Sequence, residues 1–358
     1  MNKNYYAVIM AGGVGTRFWP VSTKQFPKQF HDMLGTGTSL IQQTFSRFEN
    51  LIPSENILIA TNKNYEDLVK KQLPKISSKQ LLLEPAMRNT APCILYSAFK
   101  IYNENKDGIM IIAPSDHYIE HENEFLNNVQ TAFDFCQEKE ALVTLGIKPT
   151  SPNTGYGYIQ FKNSKNTIKN VTNFTEKPNL QTAKQFVESG TYLWNAGIFV
   201  WSVQSILTAF KTYLPEMYAL FSEGMNDYNK PSEANFIEAK YPCSENISID
   251  FGIMEKATNV FVLPVSFGWN DLGTWGSLYN KLNKDTHQNA TVGGKVIYRN
   301  ASNNIVKTQQ GKRVVIQGLN DYIVVEKEDV ILICPKSDEQ AIKQITEDVK
   351  INFGDEFV

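Results

Sequence analysis

The chain has 358 residues, with 35 Lys+Arg against 37 Asp+Glu, so its net charge is 35 − 37 = −2. Only five residues are arginine (Arg17, Arg47, Arg88, Arg299 and Arg313), which makes the chain a poor binder of nucleic-acid backbone. An apolar content of 42% at low net charge excludes a disordered chain, and the length suits one large domain or two unequal ones.

No targeting segment is read. Apolar stretches such as 197–201 and 330–334 fall far short of the roughly 20 residues that span a bilayer. Residues 5–10 run directly into glycines and Arg17, as a strand and its loop do, without the cleavage site of a signal peptide. Cys93, Cys136, Cys243 and Cys334 are scattered without metal-ligand spacing. They are expected as buried free thiols of a cytoplasmic protein with no membrane or nucleic-acid partner.

Continuous apolar runs at 6–10, 57–60, 109–113 and 142–146 predict strands buried on both faces. Between them, Leu40, Ile41, Thr44, Phe45 and Phe48 recur at helical spacing behind Thr38 or Ser39 as N-cap. A second helix is predicted from Thr90, with Pro92 in its first turn, and a third over 122–137. This alternation predicts an α/β fold, a Rossmann-like, mostly parallel sheet with helices on both faces and ligands at the carboxyl ends of its strands. After Asn283 the texture changes to short β-rich pieces (296–298, 304–306, 314–317, 322–325, 330–333) between turn pairs such as Gly293-Gly294, followed by a helix over 338–350. The expected division is therefore a catalytic domain, 1–283, and a small β-rich domain with a terminal helix, 284–358.

The most informative segment, Ala11-Gly12-Gly13-Val14-Gly15-Thr16-Arg17, follows the first strand. Glycines let backbone approach a phosphate, and successive amides form an anion nest. A P-loop would need Lys-Ser/Thr after its last glycine, and a dinucleotide fingerprint would need glycine where Phe18 stands. Arg17 and Lys28 add two cations suited to a triphosphate.

The stretch from Gly12-Gly13-Val14-Gly15-Thr16-Arg17-Phe18-Trp19-Pro20 through Pro27-Lys28-Gln29-Phe30 resembles the signature of the sugar-1-phosphate nucleotidylyltransferase family. Trp19-Pro20 and Lys28-Gln29-Phe30 resemble its mannose-1-phosphate guanylyltransferase (GDP-mannose pyrophosphorylase) branch, and further matches reach about residue 276. The resemblance implies that Gly12, Gly13, Gly15, Thr16 and Arg17 hold the triphosphate, with Lys28 at the α-phosphate.

Leu83-Glu84-Pro85-Ala86-Met87-Arg88-Asn89-Thr90 resembles the family's base-recognition segment. One carboxylate can accept both guanine donors, N1–H and the N2 amine, so Glu84 is the candidate base reader, with Asn89 and Thr90 holding base and ribose. The apolar strand ending Pro114-Ser115-Asp116-His117 and the segment Gly268-Trp269-Asn270-Asp271-Leu272-Gly273 are similar to the family's metal motifs. They make Asp116 and Asp271 candidate Mg2+ ligands and, with Arg17 and Lys28, the candidate catalytic set. His117 is expected to bond structurally, because the ionised nucleophile needs no base.

Three further segments resemble the family's sugar side: Asn153-Thr154-Gly155-Tyr156-Gly157, Phe174-Thr175-Glu176-Lys177-Pro178 and Trp194-Asn195-Ala196-Gly197. They make Gly155, Glu176, Lys177 and Asn195 candidate sugar-phosphate ligands. Ser248-Ile249-Asp250-Phe251-Gly252 is also family-like, and Asp250 could orient sugar or a helix terminus; Ile249, Ile253, Met254 and Ala257 equally fit a core-facing helix, so Asp250 is left out of the catalytic list.

The resemblance implies transfer of GMP from GTP to α-D-mannose 1-phosphate, giving GDP-mannose and pyrophosphate, with Mg2+ as cofactor. The alternatives are another hexose 1-phosphate or nucleotide, or a non-catalytic regulatory subunit that senses a nucleotide sugar. Bifunctional relatives add a histidine-rich isomerase domain, whereas only His287 lies in the last third here, so isomerase activity is not expected. The tail resembles the small β-helix-like domain of single-function relatives, which leaves homo-oligomerisation open.

Overall fold

The computed structural model describes residues 1–358 and forms two compact units. The first comprises Met1–Gly12, Thr44–Ser115 and Ile119–Trp269. Its nine strands are β1 (Tyr5–Met10), β2 (Ile57–Asn62), β3 (Leu81–Glu84), β4 (Ile109–Pro114), β5 (Leu142–Ile147), β6 (Tyr158–Phe161), β7 (Lys169–Thr175), β8 (Tyr192–Ser202) and β9 (Val260–Val265). They form one sheet in the order β3-β2-β1-β4-β8-β5-β9-β7-β6. Strands β1 to β4 are parallel, β8 runs against both β4 and β5, and β7 runs against β9. The sheet is thus parallel in its first half and mixed in its second. The apolar runs of β1, β4 and β5 are buried almost throughout, as strands covered on both faces require.

The helix Thr90–Glu104 starts where expected, but its N-cap is Asn89, whose side-chain oxygen accepts from the Thr90 amide at 3.2 Å. Its Ala91, Ile94, Leu95, Ala98 and Phe99 enter the main core with the inner faces of β1 and β4. Ile249, Ile253 and Met254 are buried in the same core, as their spacing predicts, and residues Asp250–Met254 form a π-helical turn. Of the cysteines, Cys93, Cys136 and Cys334 are buried free thiols, but Cys243 is exposed, because it sits in the short turn Tyr241–Cys243.

The second unit comprises Gly13–Gln43, Asp116–Tyr118 and Asn270–Val358. It groups residues 13–43 with the chain after residue 270, because the segment after the glycine loop shares a core with the C-terminal strands. Those strands are β10 (Ala290–Val292), β11 (Lys295–Arg299), β12 (Ile305–Lys307), β13 (Arg313–Gln317), β14 (Tyr322–Lys327) and β15 (Val330–Pro335). Strands β10, β12 and β14 stack in parallel with β15 at the edge, and β11 pairs in parallel with β13, which is a short β-helix-like coil. Side chains alternate along these strands. Ile305, Ile323 and Val325 face Phe18, Trp19, Met33 and Trp275, while Val306 and Val324 face Ile316 inside the coil. At one corner the buried Asn304 donates its side-chain amide to Asn289 Oδ1 at 2.9 Å and accepts from the Tyr322 amide at 2.9 Å, tying successive turns.

The terminal helix begins later than its spacing predicts. Residues Lys336–Ala341 form a 3-10 turn, and the α-helix is Ile342–Phe353. Ile342 is buried in the Phe18–Trp275 core, and the helix packs on the turn Thr16–Phe18. Among the helices, none is long and apolar enough to cross a membrane.

Candidate active site

In the second unit a cavity of about 330 Å³ is lined by Gly15, Thr16, Arg17, Lys28, Asp116, His117, Asp271, Gly273 and Lys343. The glycine loop is held from one side. Val14 O accepts from Ser22 Oγ at 2.5 Å and from the Lys28 amide, and Gly13 O accepts from Gln29 Nε2 at 3.0 Å. With the carbonyls fastened, the amides of Gly13, Val14, Gly15 and Thr16 donate no hydrogen bond within the protein, which is the arrangement of an anion nest. Gly15 sits at φ +71°, and a Cβ there would come 2.6 Å from Lys28 Cβ. Both the backbone conformation and the approach of Lys28 therefore require glycine.

Lys28 is buried, and its Nζ lies 2.8 Å from Asp116 Oδ2, 3.0 Å from Asp271 O and 2.9 Å from Leu272 O. Its three protons are thus spent on acceptors of the protein. These contacts join Asp116 to the 271–272 backbone. Leu272, fully buried at φ +44°, holds one of those carbonyls in place. Burial alone would raise the Asp116 carboxyl, but the charges of Lys28 and His117 and the Lys28 hydrogen bond outweigh it and hold the group below its usual range. Arg17 is exposed and makes no ion pair or hydrogen bond.

Asp271 Oδ1 accepts from the Gly273 amide at 3.1 Å, and a Cβ at Gly273 would collide with Asp271 Oδ2. Nowhere do three or more His, Cys, Asp or Glu side chains gather to form an all-protein metal cage. Two hard carboxylates lining one cavity fit a small divalent cation that takes its remaining ligands from water and phosphate.

In the first unit, Glu84 ends β3 and is buried. Its Oε1 accepts from Tyr241 Oη, and its Oε2 lies under the Gly12 backbone, 3.4 Å from where a Cβ would stand. Burial pushes the carboxyl up from 4.5 to about 7, against the smaller opposing effect of the Tyr241 hydrogen bond. Sequence reasoning missed Tyr241, since nothing local distinguishes it from a core tyrosine. Asn89 stands at φ +65°, and the Thr90 hydroxyl accepts from the Ile249 amide at 2.9 Å, so it fixes the Ile249 segment. Arg88 holds Pro242 O at 2.6 Å.

The sugar-side candidates separate. Gly155 lies in an exposed turn closed by Asn153 Oδ1 at 2.7 Å. The glycine that makes the close approach is Gly157, where a Cβ would strike Glu176 Oε2 and come 3.3 Å from Asn195 Cβ. Glu176 Oε2 is buried without a hydrogen-bond partner, while Oε1 pairs with Lys177. Asn195 Nδ2 donates to Asp250 Oδ1 at 2.8 Å, and its Oδ1 accepts from Thr144 Oγ1 and the Gly197 amide. Asp250 therefore packs with this group, a placement that the sequence left open. Burial, then the Glu176 charge, pushes its carboxyl up from 3.8 to about 6. The family-like Ser248-to-Gly252 match is the signal that points there.

A nucleotidyl transferase family model matches residues 6–288, and a MannoseP isomerase/GMP-like beta-helix domain model matches residues 294–349. The chain belongs to the nucleotidyl transferase family. Among its relatives, the alginate biosynthesis protein AlgA of Pseudomonas syringae pv. tomato is 36% identical over 94% of this chain and 70% of its own. A mannose-1-phosphate guanylyltransferase of Salmonella montevideo is 35% identical over 96% of this chain and 74% of its own. The crystal structure of a protein from Thermus thermophilus, described as a mannose-1-phosphate geranyltransferase, superposes with a TM-score of 0.88 at 28% identity, covering 97% of this chain and 99% of that one.

Proposed function

We propose that this chain transfers GMP from GTP to α-D-mannose 1-phosphate, releasing pyrophosphate and GDP-mannose. The observation that carries the reading is the cavity in which free loop amides, Arg17, Asp116 and Asp271 converge, with Lys28 bracing them. The choice of sugar and nucleotide is supported by relatives named mannose-1-phosphate guanylyltransferase.

An ionised oxygen of the sugar phosphate bonds to the α-phosphorus of GTP. The bond from that phosphorus to the bridging β-oxygen breaks, and its electron pair leaves with pyrophosphate. At neutral pH the nucleophile carries no proton that must be removed, so the side chains act by positioning and charge neutralisation. The loop amides and Arg17 bind the triphosphate, and Lys28 keeps Asp116 and the Asp271 backbone in register. Asp116 and Asp271 would hold a divalent cation, Mg2+ in our reading, which when bound would neutralise phosphate charge. Glu84 accepts from guanine as a carboxylate, with Tyr241 steadying its Oε1. Glu176, braced beside Gly157 and Asn195, offers its unpartnered Oε2 to sugar hydroxyls, and Lys177 offers its ammonium to the sugar's phosphate. We place the reaction in the cytoplasm, a reading supported by four cysteines that form no disulfide.

The test is pyrophosphate release over a grid of nucleoside triphosphates and hexose 1-phosphates. GTP with mannose 1-phosphate should give the highest kcat/KM, and preference for another pair, or no turnover, would overturn the reading. Asp271→Ala should abolish turnover while the fold survives. A wild-type kcat at saturating Mg2+ in that variant would remove the metal role.

A further inference from the structure

The cavity has one cation that belongs to no motif of the glycine loop or the metal segments. Lys343 stands in the first turn of the helix Ile342–Phe353 and lines the same cavity as Arg17 and Asp271. It is exposed and makes no hydrogen bond or ion pair, whereas Lys28 is consumed by Asp116 and two carbonyls. The helix that carries it is tied at both ends. Before it, Glu339 Oε2 accepts from the Gly276 amide at 2.7 Å; after it, Phe357 O accepts from Trp19 Nε1 at 2.6 Å. The adjacent Ile342 is locked in the core. Lys343 is therefore held beside the phosphate cavity by the fold and is free to bind an anion.

We propose that Lys343 binds the pyrophosphate portion of the nucleotide, so that the C-terminal helix completes the triphosphate site. The proposal rests on the nucleotidyl-transfer reading and deepens it. Arg17 and Lys343 are the two cavity cations without a protein partner, and pyrophosphate is the reaction component with the greatest concentration of negative charge. The role also gives the terminal segment a place in the chemistry beyond packing.

The experiment measures the reverse reaction, GDP-mannose plus pyrophosphate, for wild type, Lys343→Ala and Lys343→Arg. Loss of one charge-assisted contact should raise the KM for pyrophosphate by roughly tenfold in Lys343→Ala. Lys343→Arg should stay within roughly threefold of wild type, and the KM for GDP-mannose and the melting temperature should not move. An unchanged pyrophosphate KM in Lys343→Ala, an equal rise in the KM for GDP-mannose, or failure of arginine to rescue would each overturn the proposal. Calorimetric binding of inorganic pyrophosphate separates the two readings. If wild type lacks the transfer activity yet binds pyrophosphate more tightly than Lys343→Ala, the activity falls and the Lys343 site stands. If wild type and Lys343→Ala bind it equally, the Lys343 site falls.

Discussion

Replacing Glu84 by glutamine should stabilise the protein at alkaline pH while removing its preference for guanine. The carboxyl is buried, and its value is pushed up from 4.5 to about 7. Between those values the folded chain keeps a proton that the unfolded chain has lost. Stability associated with this group is therefore full below about 4.5 and falls as pH rises through about 7. At about 1.36 kcal/mol per pH unit, the variant should gain about 2.5 kcal/mol relative to wild type between about pH 5 and about pH 8.5. Glutamine keeps an oxygen to accept from Tyr241 Oη, so the local packing survives the change. Urea unfolding of both proteins at the two pH values measures the difference. In parallel, wild-type kcat/KM for GTP should rise with pH through about 7, as the guanine-accepting carboxylate forms, and the step should vanish in Glu84→Gln. A relative stability that does not change with pH would refute the burial argument. A variant that keeps both its pH step and full GTP preference would refute the assignment of Glu84 to the base.

Gly15→Ala places a Cβ 2.6 Å from Lys28 Cβ at φ +71°, so we expect about 1–3 kcal/mol of destabilisation in thermal melts. It should also lower kcat/KM more than roughly tenfold in the pyrophosphate-release assay, because displacing Lys28 disturbs both Asp116 and the 271–272 backbone. Gly157→Ala drives a methyl group into Glu176 Oε2, so the KM for mannose 1-phosphate should rise roughly tenfold or more while the KM for GTP stays unchanged; the two KM values check this directly.

The alternation of buried strands with helices, the position of the glycine loop and the β-rich character of the tail are all legible in the sequence. These are local properties: apolar periodicity, turn residues and the conformational freedom of glycine act over a few neighbouring positions. The candidate acids, Asp116 and Asp271, are likewise legible as residue types within recognisable segments. The function of a segment can be read at this level because reacting phosphates demand particular chemical groups.

The partners of those groups were decided by packing. Glu84 meets Tyr241 across 157 positions, and Lys28 meets Asp271 across 243. No local pattern encodes such distances, because they depend on which apolar faces bury each other. Tertiary structure set Lys28 between Asp116 and the 271–272 backbone, and packed Gly157 against Glu176 and Asn195. It also brought Asp250 beside Glu176 and Asn195. The division of the chain has the same origin: residues 13–43 belong with the C-terminal strands because Phe18, Trp19 and Met33 share the core of Trp275, Ile305 and Ile342. The sequence by itself determined the chemistry on offer and the elements that carry it. Only the burial of those apolar faces decided which charges, like Lys28, are spent within the protein and which, like Arg17 and Lys343, stay exposed without a protein partner.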